Sequence, residues 1–346
     1  MDLQSIALMR KCSLFFINYE MEKVINGFTE FYICEKYKIK KIKTYYMRNK
    51  KMIYIEKHPM IMIVVGFMGI SMSAIFVKYS TAPSAVTAAY RLLWTVLLMT
   101  PVVFGKKEVR EELFSIDKKQ RILSALSGAF LAAHFVLWFE SLHHTSVASS
   151  TTIVCTEVIW VSFGFCLFMK GKLSAKAIAA IAVTFLGSVL IACADSATGG
   201  LHLYGDILAL LAAIAVAVYT LIGRVVREKV STTIYTYVVY GACALILVLT
   251  CMVQGLNLFA YGMSPIIVGL LLSIFSTILG HSIFSWCLKY VSPSFVSASK
   301  LCEPVVAAIA AGFLFGEIPV LLQVVGSILI LGGVLYYSRI ESEKDR

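Results

Sequence analysis

Charged residues are scarce in this sequence, and one long stretch contains none at all. Only 15% of the 346 residues are Asp, Glu, Lys or Arg, against about 25% in an ordinary soluble domain. Residues 230–288 have no residue of these four types, and 59% of the chain is hydrophobic. A water-soluble fold of this composition would expose too much apolar surface. The composition therefore predicts an all-α integral membrane protein.

Several familiar chemical signatures are also missing. The nine cysteines are scattered and form no C-x-x-C pair, so we expect no disulfide framework, no metal site and no cofactor. The sequence contains no P-loop, no nucleophilic serine elbow and no H-E-x-x-H helix. ATP is thus not supported as an energy source. Coupling to a proton or ion gradient and simple facilitated efflux both remain open.

Residues 1–57 form a polar, basic segment with twelve Lys and Arg against six Asp and Glu. The segment lacks the apolar core and small-residue cleavage site of a signal peptide. We interpret it as a cytoplasmic tail beside anionic lipid rather than as a nucleic-acid patch, and we expect no nucleic-acid partner. Met47, Met52 and Met60 each offer an alternative start that keeps the whole membrane domain.

From residue 58 onward the chain contains apolar segments long enough to cross about 30 Å of hydrocarbon. We predict ten spans, at 59–79, 84–104, 121–142, 147–169, 175–194, 204–224, 232–253, 265–288, 294–315 and 319–338. Lys and Arg gather after every even-numbered span and at the C-terminus, whereas the opposite loops hold only Lys78. The excess of basic residues in cytoplasmic loops then predicts a multi-pass protein of the cell membrane with both termini cytoplasmic.

Two stretches of the chain resemble each other. They read "SLHHTSVASSTTIVCTEV" at 141–158 and "CLKYVSPSFVSASKLCEPV" at 287–305, and a shift of 146 residues places Glu157 on Glu303. The repeat unit spans five helices, so the second copy enters the membrane in the opposite direction to the first. Inverted repeats of this kind build secondary transporters whose substrate site lies near the midplane between the halves.

The repeat divides the membrane region into two domains. We assign residues 58–200 to the first repeat with spans 1–5, and residues 201–338 to the second repeat with spans 6–10. A short basic tail, residues 339–346, follows. Spans 5 and 10 are expected to pack on the outside, where they are candidates for a homodimer interface, and membrane lipid surrounds the rest.

The two repeat-related glutamates are the first candidates for a substrate site. Each is expected near the middle of the bilayer, where an ionisable residue is costly. Lys300 lies three residues before Glu303 and is expected to pair with it, and Pro304 is expected to bend the helix. Glu157 and Glu303 are candidates to bind substrate or a proton in the pathway. The alternative is that they hold neighbouring helices together.

Two histidines occupy corresponding spans, each with a tryptophan about one turn later. His134 precedes Trp138 in span 3, and His281 precedes Trp286 in span 8. Imidazole can relay protons near neutral pH, and indole offers a face for a cation. His134, Trp138 and His281 are candidates to line the pathway, with an interhelical hydrogen bond as the alternative role for each histidine. Trp286 is expected to anchor at the interface.

Arg91 is the one cation of span 2. It is a candidate to bind the carboxylate of a substrate. The alternative is a structural ion pair with Glu140 or another carboxylate. His143 and His144 follow in a short outer loop, where they are expected to be solvated.

The end of the chain carries a recognisable set of motifs. It combines "SASKLCEPVVAAIAAGF", the pair Glu303-Pro304, the element Leu314–Glu317 and a glycine-punctuated helix from Gly326 to Gly332. This region resembles the C-terminal signature of the drug/metabolite transporter superfamily, EamA type. The first half departs from the signature, because Val158 replaces the proline and Gly171-Lys172 replaces the G-E pair.

The resemblance implies ten helices in inverted five-plus-five repeats, cytoplasmic termini and export of small metabolites, usually amino acids or related solutes. We therefore expect a permease that works by alternating access on a small-molecule substrate, and not an enzyme. The alternative is a membrane-embedded enzyme that uses the intramembrane His and Glu residues. Glycine and alanine recur at helical spacing, which permits close helix approach.

Overall fold

The structure is a computed structural model that describes residues 59–145, 147–169, 173–196, 203–306 and 321–344. The basic tail at 1–57, the pair Gly171-Lys172 and the element Leu314–Glu317 lie outside the described residues. Residues 59–346 belong to one compact unit. Within the described ranges the chain consists of helices joined by turns and short loops, without a strand.

The first half of the membrane region is built from helices that alternate long and short. In chain order they are α1 (Pro59–Ser71), α2 (Ser73–Lys78), α3 (Ser84–Gly105), α4 (Lys107–Ser115), α5 (Lys118–His144), α6 (Val147–Val154), α7 (Glu157–Met169) and α8 (Ala175–Ser196). The second half contains two segments that are not α-helical. Its elements are α9 (Leu203–Arg227), α10 (Thr232–Val253), α11 (Ser264–Leu271), a π-helix (Leu272–His281), α12 (Ser282–Cys287), α13 (Pro293–Ser299), a 3-10 turn (Lys300–Cys302) and α14 (Leu321–Lys344).

Six helical stretches among the described residues are long and apolar enough to cross a membrane. They are Pro59–Lys78, Ser84–Gly105, Lys118–His144, Tyr204–Arg227, Thr232–Val253 and Ser264–Cys287. These coincide with predicted spans 1, 2, 3, 6, 7 and 8, which confirms an all-α multi-pass membrane protein. The other four predicted spans fall on shorter or incompletely described helices, so the count of ten stays a prediction.

Helices of the first half pack on helices of the second half in corresponding pairs. The helix α5 runs along α9, while α1 packs on the π-helix and α12. The first contact joins spans 3 and 6, and the second joins spans 1 and 8. The repeat relates span 1 to span 6 and span 3 to span 8, so the two contacts correspond. The pairs α3–α10 and α8–α14 each join equivalent spans. Close approach uses glycine, since a Cβ on Gly187 in α8 would lie 2.6 Å from the Gly326 carbonyl oxygen of α14.

Spans 4 and 9 are both interrupted, whereas the sequence analysis predicts a bend only in span 9, at Pro304. In span 4 the helix α6 ends at Val154, a turn covers residues 155–156, and α7 begins at Glu157. In span 9 the 3-10 turn covers residues 300–302, and the chain is α-helical again from Glu303. The 146-residue shift places residues 155–156 on 301–302. The two interruptions therefore occupy corresponding positions, as in transporter folds built on discontinuous helices.

Pro304 explains the interruption of span 9. Proline has no N–H, so it cannot bond to the carbonyl of Lys300 four residues earlier. The backbone N–H of Glu303 donates to that carbonyl instead, which tightens the chain into a 3-10 turn, and the Cys155 thiol donates to the same oxygen at 3.9 Å. The predicted bend at Pro304 takes this form. Span 4 has Val158 at the corresponding position, so its turn has no comparable sequence signal.

The middle of span 8 is a π-helix rather than the predicted α-helix. The hydroxyl of Thr277 donates to the Leu272 carbonyl at 3.2 Å, and the N–H of Ser282 donates to the Thr277 carbonyl. Bonds across five residues widen the helix and change which side chains share a face. Such segments are frequent at functional sites. This one ends at His281.

The basic loop after span 2 contains a helix that the sequence analysis did not predict. This helix, α4, has no buried residue. It is tied to the loop after span 6, because Glu112 Oε1 accepts a 2.7 Å hydrogen bond from the backbone N–H of Ser231.

Candidate functional site

One cavity between the two halves brings together all seven candidate site residues. It is lined by Ile70, Ser73, Arg91, His134, Trp138, Val154, Glu157, Val216, His281, Lys300 and Glu303. The volume is about 30 Å³, which is room for about two water molecules. The role of these side chains in substrate binding stays a prediction.

Glu157 stands where α7 begins, at the positive end of the helix dipole. Its Oε1 atom accepts hydrogen bonds from Lys300 Nζ at 2.7 Å and from the Ser297 hydroxyl at 2.8 Å. The Thr220 hydroxyl approaches the same oxygen at 3.5 Å. The expected pairing of Lys300 with Glu303 is therefore wrong, because the long lysine side chain reaches across to the carboxylate where the other donors already converge.

Glu303 takes the corresponding position in the second half, at the start of the helical segment that follows the 3-10 turn. Glu303 is only 8% exposed. The Oε1 atom has no hydrogen-bond donor within the described part of the chain. A buried oxygen without a donor carries its full desolvation cost. Glu303 therefore has a buried oxygen that is still able to accept a hydrogen bond.

Arg91 is fully buried and lines the cavity. Its Nε donates to Thr277 Oγ1 of the π-helix at 2.7 Å, and Nη1 donates to Ser73 Oγ at 3.4 Å. The guanidinium carbon lies 4.0 Å from the ring centre of Phe135, which is cation–π distance. Among the described residues Nη2 has no acceptor. Arg91 thus keeps one donor directed at no protein group.

The expected alternative pairing of Arg91 with Glu140 is wrong. Glu140 Oε1 lies 3.1 Å from His144 Nε2, one turn along the exposed end of α5. That end of the helix is accessible, and His143 and His144 are both exposed. Arg91 instead bonds hydroxyl groups, because its side chain is held among helices whose nearest polar atoms are Ser and Thr.

His134 both packs helices together and lines the cavity. Its Nδ1 lies 3.0 Å from the carbonyl oxygen of Ala212 in α9. A carbonyl only accepts, so Nδ1 carries the proton and Nε2 is left as an acceptor. The imidazole stacks on Trp138 with ring centres 5.8 Å apart and lies 6.3 Å from the ring of His281. The interhelical hydrogen bond is therefore present in the structure, while the pathway role of His134 stays a prediction.

The sequence analysis missed the hydroxyl groups that hold the charged side chains. Thr277 lies one turn before His281, and Ser297 lies three residues before Lys300, so helical spacing from a candidate residue was the available signal. Thr220 had no such signal, because its hydroxyl approaches Glu157 Oε1 from α9, at 3.5 Å. Within the described chain no group of three His, Cys, Asp or Glu side chains is arranged to hold a metal ion.

Trp286 lies apart from the cavity. Its ring packs against that of Tyr290 at an angle of 44°, with ring centres 4.5 Å apart, close to the end of α12. This position is compatible with the interfacial role expected from the sequence. Of the two tryptophans that follow a candidate histidine, only Trp138 is among the cavity residues.

The cavity contains equal numbers of opposite charges. Arg91 and Lys300 supply two cations, and Glu157 and Glu303 supply two carboxylates. Ionisable side chains within a membrane are costly and mark pathways for substrates or ions. Here they come from three different spans, 2, 4 and 9, and they meet beside the interruptions of spans 4 and 9.

Comparison with known proteins gives the family. The profile of the EamA-like transporter family matches residues 58–193 and, separately, residues 203–339. An uncharacterized transporter of Bacillus subtilis (strain 168), YxxF, is 25% identical over 276 residues, which is 79% of this chain and 85% of that protein. An uncharacterized transporter of Clostridium kluyveri is 22% identical over 301 residues, covering 81% of this chain and 95% of that protein.

A solved crystal structure shares the fold. It superposes with a TM-score of 0.68 at 14% sequence identity, over 84% of this chain and 99% of that chain. Identity at this level carries the fold alone. The two profile matches together span most of the membrane region, and the relatives are named as transporters. The chain belongs to the EamA-like transporter family.

Proposed function

We propose that this transporter exports small metabolites, amino acids or related solutes, by alternating access between two inverted five-helix halves in the cell membrane. The observation that carries the proposal is the cavity, in which Arg91, Lys300, Glu157 and Glu303 are buried together. A protein that only needed packed helices would not require four ionisable side chains at membrane depth. Solute enters when the halves part on one side of this cavity.

The interruptions of spans 4 and 9 support rocking of the halves. Half-helices that begin inside a membrane expose backbone groups and helix ends to a central site. Each glutamate begins such a half-helix. The Lys300–Glu157 bond joins span 9 of one half to span 4 of the other, so relative motion of the halves acts directly on the charged site.

A membrane-embedded enzyme was the alternative. The family and the names of the relatives are those of transporters and give the enzyme no support. The two readings also differ in a simple assay. A transporter moves unchanged solute between compartments, whereas an enzyme converts solute in detergent solution without any compartment.

The proposed orientation makes a first prediction. Alkaline phosphatase fused within residues 80–83 or 254–263 is expected to be active, because those loops face the outside in the ten-span arrangement. Fusions within 106–117 or after residue 344 are expected to be inactive, while green fluorescent protein at the same places is expected to fluoresce. Activity of the phosphatase after residue 344 would contradict an even number of spans with a cytoplasmic N-terminus.

Counterflow into proteoliposomes tests transport itself. Vesicles preloaded with pooled amino acids and small metabolites are expected to take up labelled solute of at least one kind. Glu303→Gln and His134→Ala are expected to lower the initial rate at least tenfold, because each removes a polar group that lines the cavity. The measurement is tracer uptake in the first seconds, normalised to reconstituted protein.

Matched substitutions outside the cavity control for damage to the fold. Glu140→Gln and His143→Ala make the same chemical changes at the exposed end of α5 and are expected to retain the wild-type rate. Absence of counterflow for every solute in sealed vesicles would contradict the transporter. Equal losses in the cavity variants and the controls would contradict the site.

A further inference from the structure

The two glutamates have matching surroundings in the two halves. The shift of 146 residues that relates Glu157 to Glu303 also relates the cavity residue Trp138 to Phe284. Across the cavity, a glutamate that begins a half-helix in one half is therefore combined with an aromatic ring from the other half. We call these combinations the first half-site, Glu157 with Phe284, and the second half-site, Glu303 with Trp138.

The first half-site binds an ammonium group that belongs to the protein. Lys300 Nζ lies 2.7 Å from Glu157 Oε1 and 5.4 Å from the ring centre of Phe284. A charge-assisted hydrogen bond and a cation–π contact thus act on the same ammonium. This arrangement is a built ammonium site, and its occupant is a side chain.

The second half-site has the same components without the lysine. The 146-residue shift places Val154 at the position of Lys300, and both residues line the cavity. Valine brings no charge. Glu303 Oε1, in a residue more than nine-tenths buried, accordingly has no donor among the described side chains.

Two donors line the same cavity without an acceptor in the described chain. They are Arg91 Nη2 and Trp138 Nε1, both buried. An unpaired guanidinium donor at this depth calls for an anionic or strongly accepting group. The cavity thus contains one acceptor for a cation and two donors for an anion that the protein leaves unsatisfied.

We propose that the second half-site binds the ammonium group of a zwitterionic solute, in the way that the first half-site binds Lys300, and that Arg91 Nη2 and Trp138 Nε1 bind its anionic group. The inference rests on the proposed transport function and adds the charge pattern of the solute. Lys300 is the specificity-determining residue, because it occupies the only other carboxylate of the cavity and so excludes a second cationic group.

The net charge of the cavity side chains also favours a solute with one ammonium and one anionic group. The four ionisable groups around the cavity cancel at their ordinary ionisation, and a zwitterion preserves that balance. A solute with a second ammonium would bring an unpaired positive charge into a low-dielectric site beside Arg91 and Lys300. Uncompensated charge is strongly disfavoured there.

A set of isosteric probes tests the inference by binding to the full-length protein in lipid nanodiscs. Norvaline carries both charged groups, butylamine lacks its carboxylate, and pentanoate lacks its ammonium. In 2,4-diaminobutanoate an ammonium replaces the terminal methyl of norvaline. In ornithine an ammonium replaces the terminal methyl of norleucine. Apparent affinities follow from the rise of the unfolding temperature with ligand concentration.

For the wild-type protein we expect norvaline to bind at least tenfold more tightly than butylamine and pentanoate. Each diamino acid is expected to bind at least tenfold more weakly than its isostere. In Glu303→Gln the preference for norvaline over pentanoate is expected to disappear. In Lys300→Met the preference for each isostere over its diamino acid is expected to invert. Glu157 is then unpaired and can bind the second ammonium of the diamino acid.

The double variant Glu157→Gln/Lys300→Met covers the case in which Lys300→Met alone does not fold. It removes both members of the ion pair, and the wild-type preference for the isosteres is expected to persist or weaken without inverting. The inference is overturned if folded wild-type protein binds none of the probes, if butylamine or pentanoate matches norvaline, or if the double variant prefers diamino acids. Because binding needs no vesicle, selective binding without counterflow would overturn the transport function and leave this inference standing.

Discussion

Lys300→Met is expected to lower the free energy of unfolding by about 3–5 kcal/mol. The substitution keeps most of the apolar stem but removes the ammonium that lies 2.7 Å from Glu157 Oε1. The two side chains are only 8% and 5% exposed, so bulk water does not solvate the charge that is left. Breaking one side of a buried pair leaves the other charge uncompensated. Thermal unfolding in detergent, followed by tryptophan fluorescence, measures the change.

Two comparisons isolate the buried charge from other effects of the substitution. Glu157→Gln/Lys300→Met removes both charges and is expected to regain most of the lost stability, since no unpaired ion remains. Lys107→Met breaks the pair of Lys107 with Glu111, whose side chains are 76% and 64% exposed, and is expected to cost at most about 1 kcal/mol. Similar losses for Lys300→Met and Lys107→Met would show that the pair to Glu157 is not stabilising the fold.

Gly128→Leu is expected to cost about 3 kcal/mol through overpacking. Gly128 lies where α5 crosses α10, and a Cβ there would come 2.5 Å from the Val239 carbonyl oxygen and 2.9 Å from the Ala242 Cβ. The first of these is backbone, which cannot move aside as a side chain can. The helices would have to separate, and the cavity residue His134, two turns further along α5, would shift with them.

Gly241→Leu provides the matched comparison on the partner helix α10. A Cβ at Gly241 meets no atom within 4 Å, so the expected change is within about 0.5 kcal/mol. Both substitutions gain the same helix propensity over glycine, and the difference between them therefore measures the steric contact. An unfolding temperature for Gly128→Leu equal to that of Gly241→Leu would contradict the close crossing of α5 and α10.

The location of the site was predictable because depth and repeat pattern both act over whole helices. Hydrophobic length fixes where a span begins, so His134, Glu157 and Glu303 are each placed near mid-membrane from sequence alone. The repeat then relates positions in the two halves. The repeat, helical spacing and the single cation of span 2 added His281, Trp138, Lys300 and Arg91 as candidates, and all seven residues line one cavity.

Contacts within the site depend on smaller features that leave little trace in the sequence. The turn at residues 155–156 has no proline or glycine to mark it, yet it determines that Glu157 begins a helix. Lys300 can reach either glutamate, and hydroxyl groups from spans 6 and 9 determine which one it bonds. No feature of the amino-acid composition distinguishes the π-helix from an α-helix, although it places the Thr277 hydroxyl beside Arg91.

The balance of two cations and two carboxylates has an electrical consequence. Moving one elementary charge through a membrane potential of 100 mV changes the free energy by about 2.3 kcal/mol. In the proposed alternating-access cycle, four side chains whose formal charges cancel experience almost no net force of this kind. The proposed exchange of access is therefore expected to have the same energetic cost in a polarised membrane and in a depolarised one.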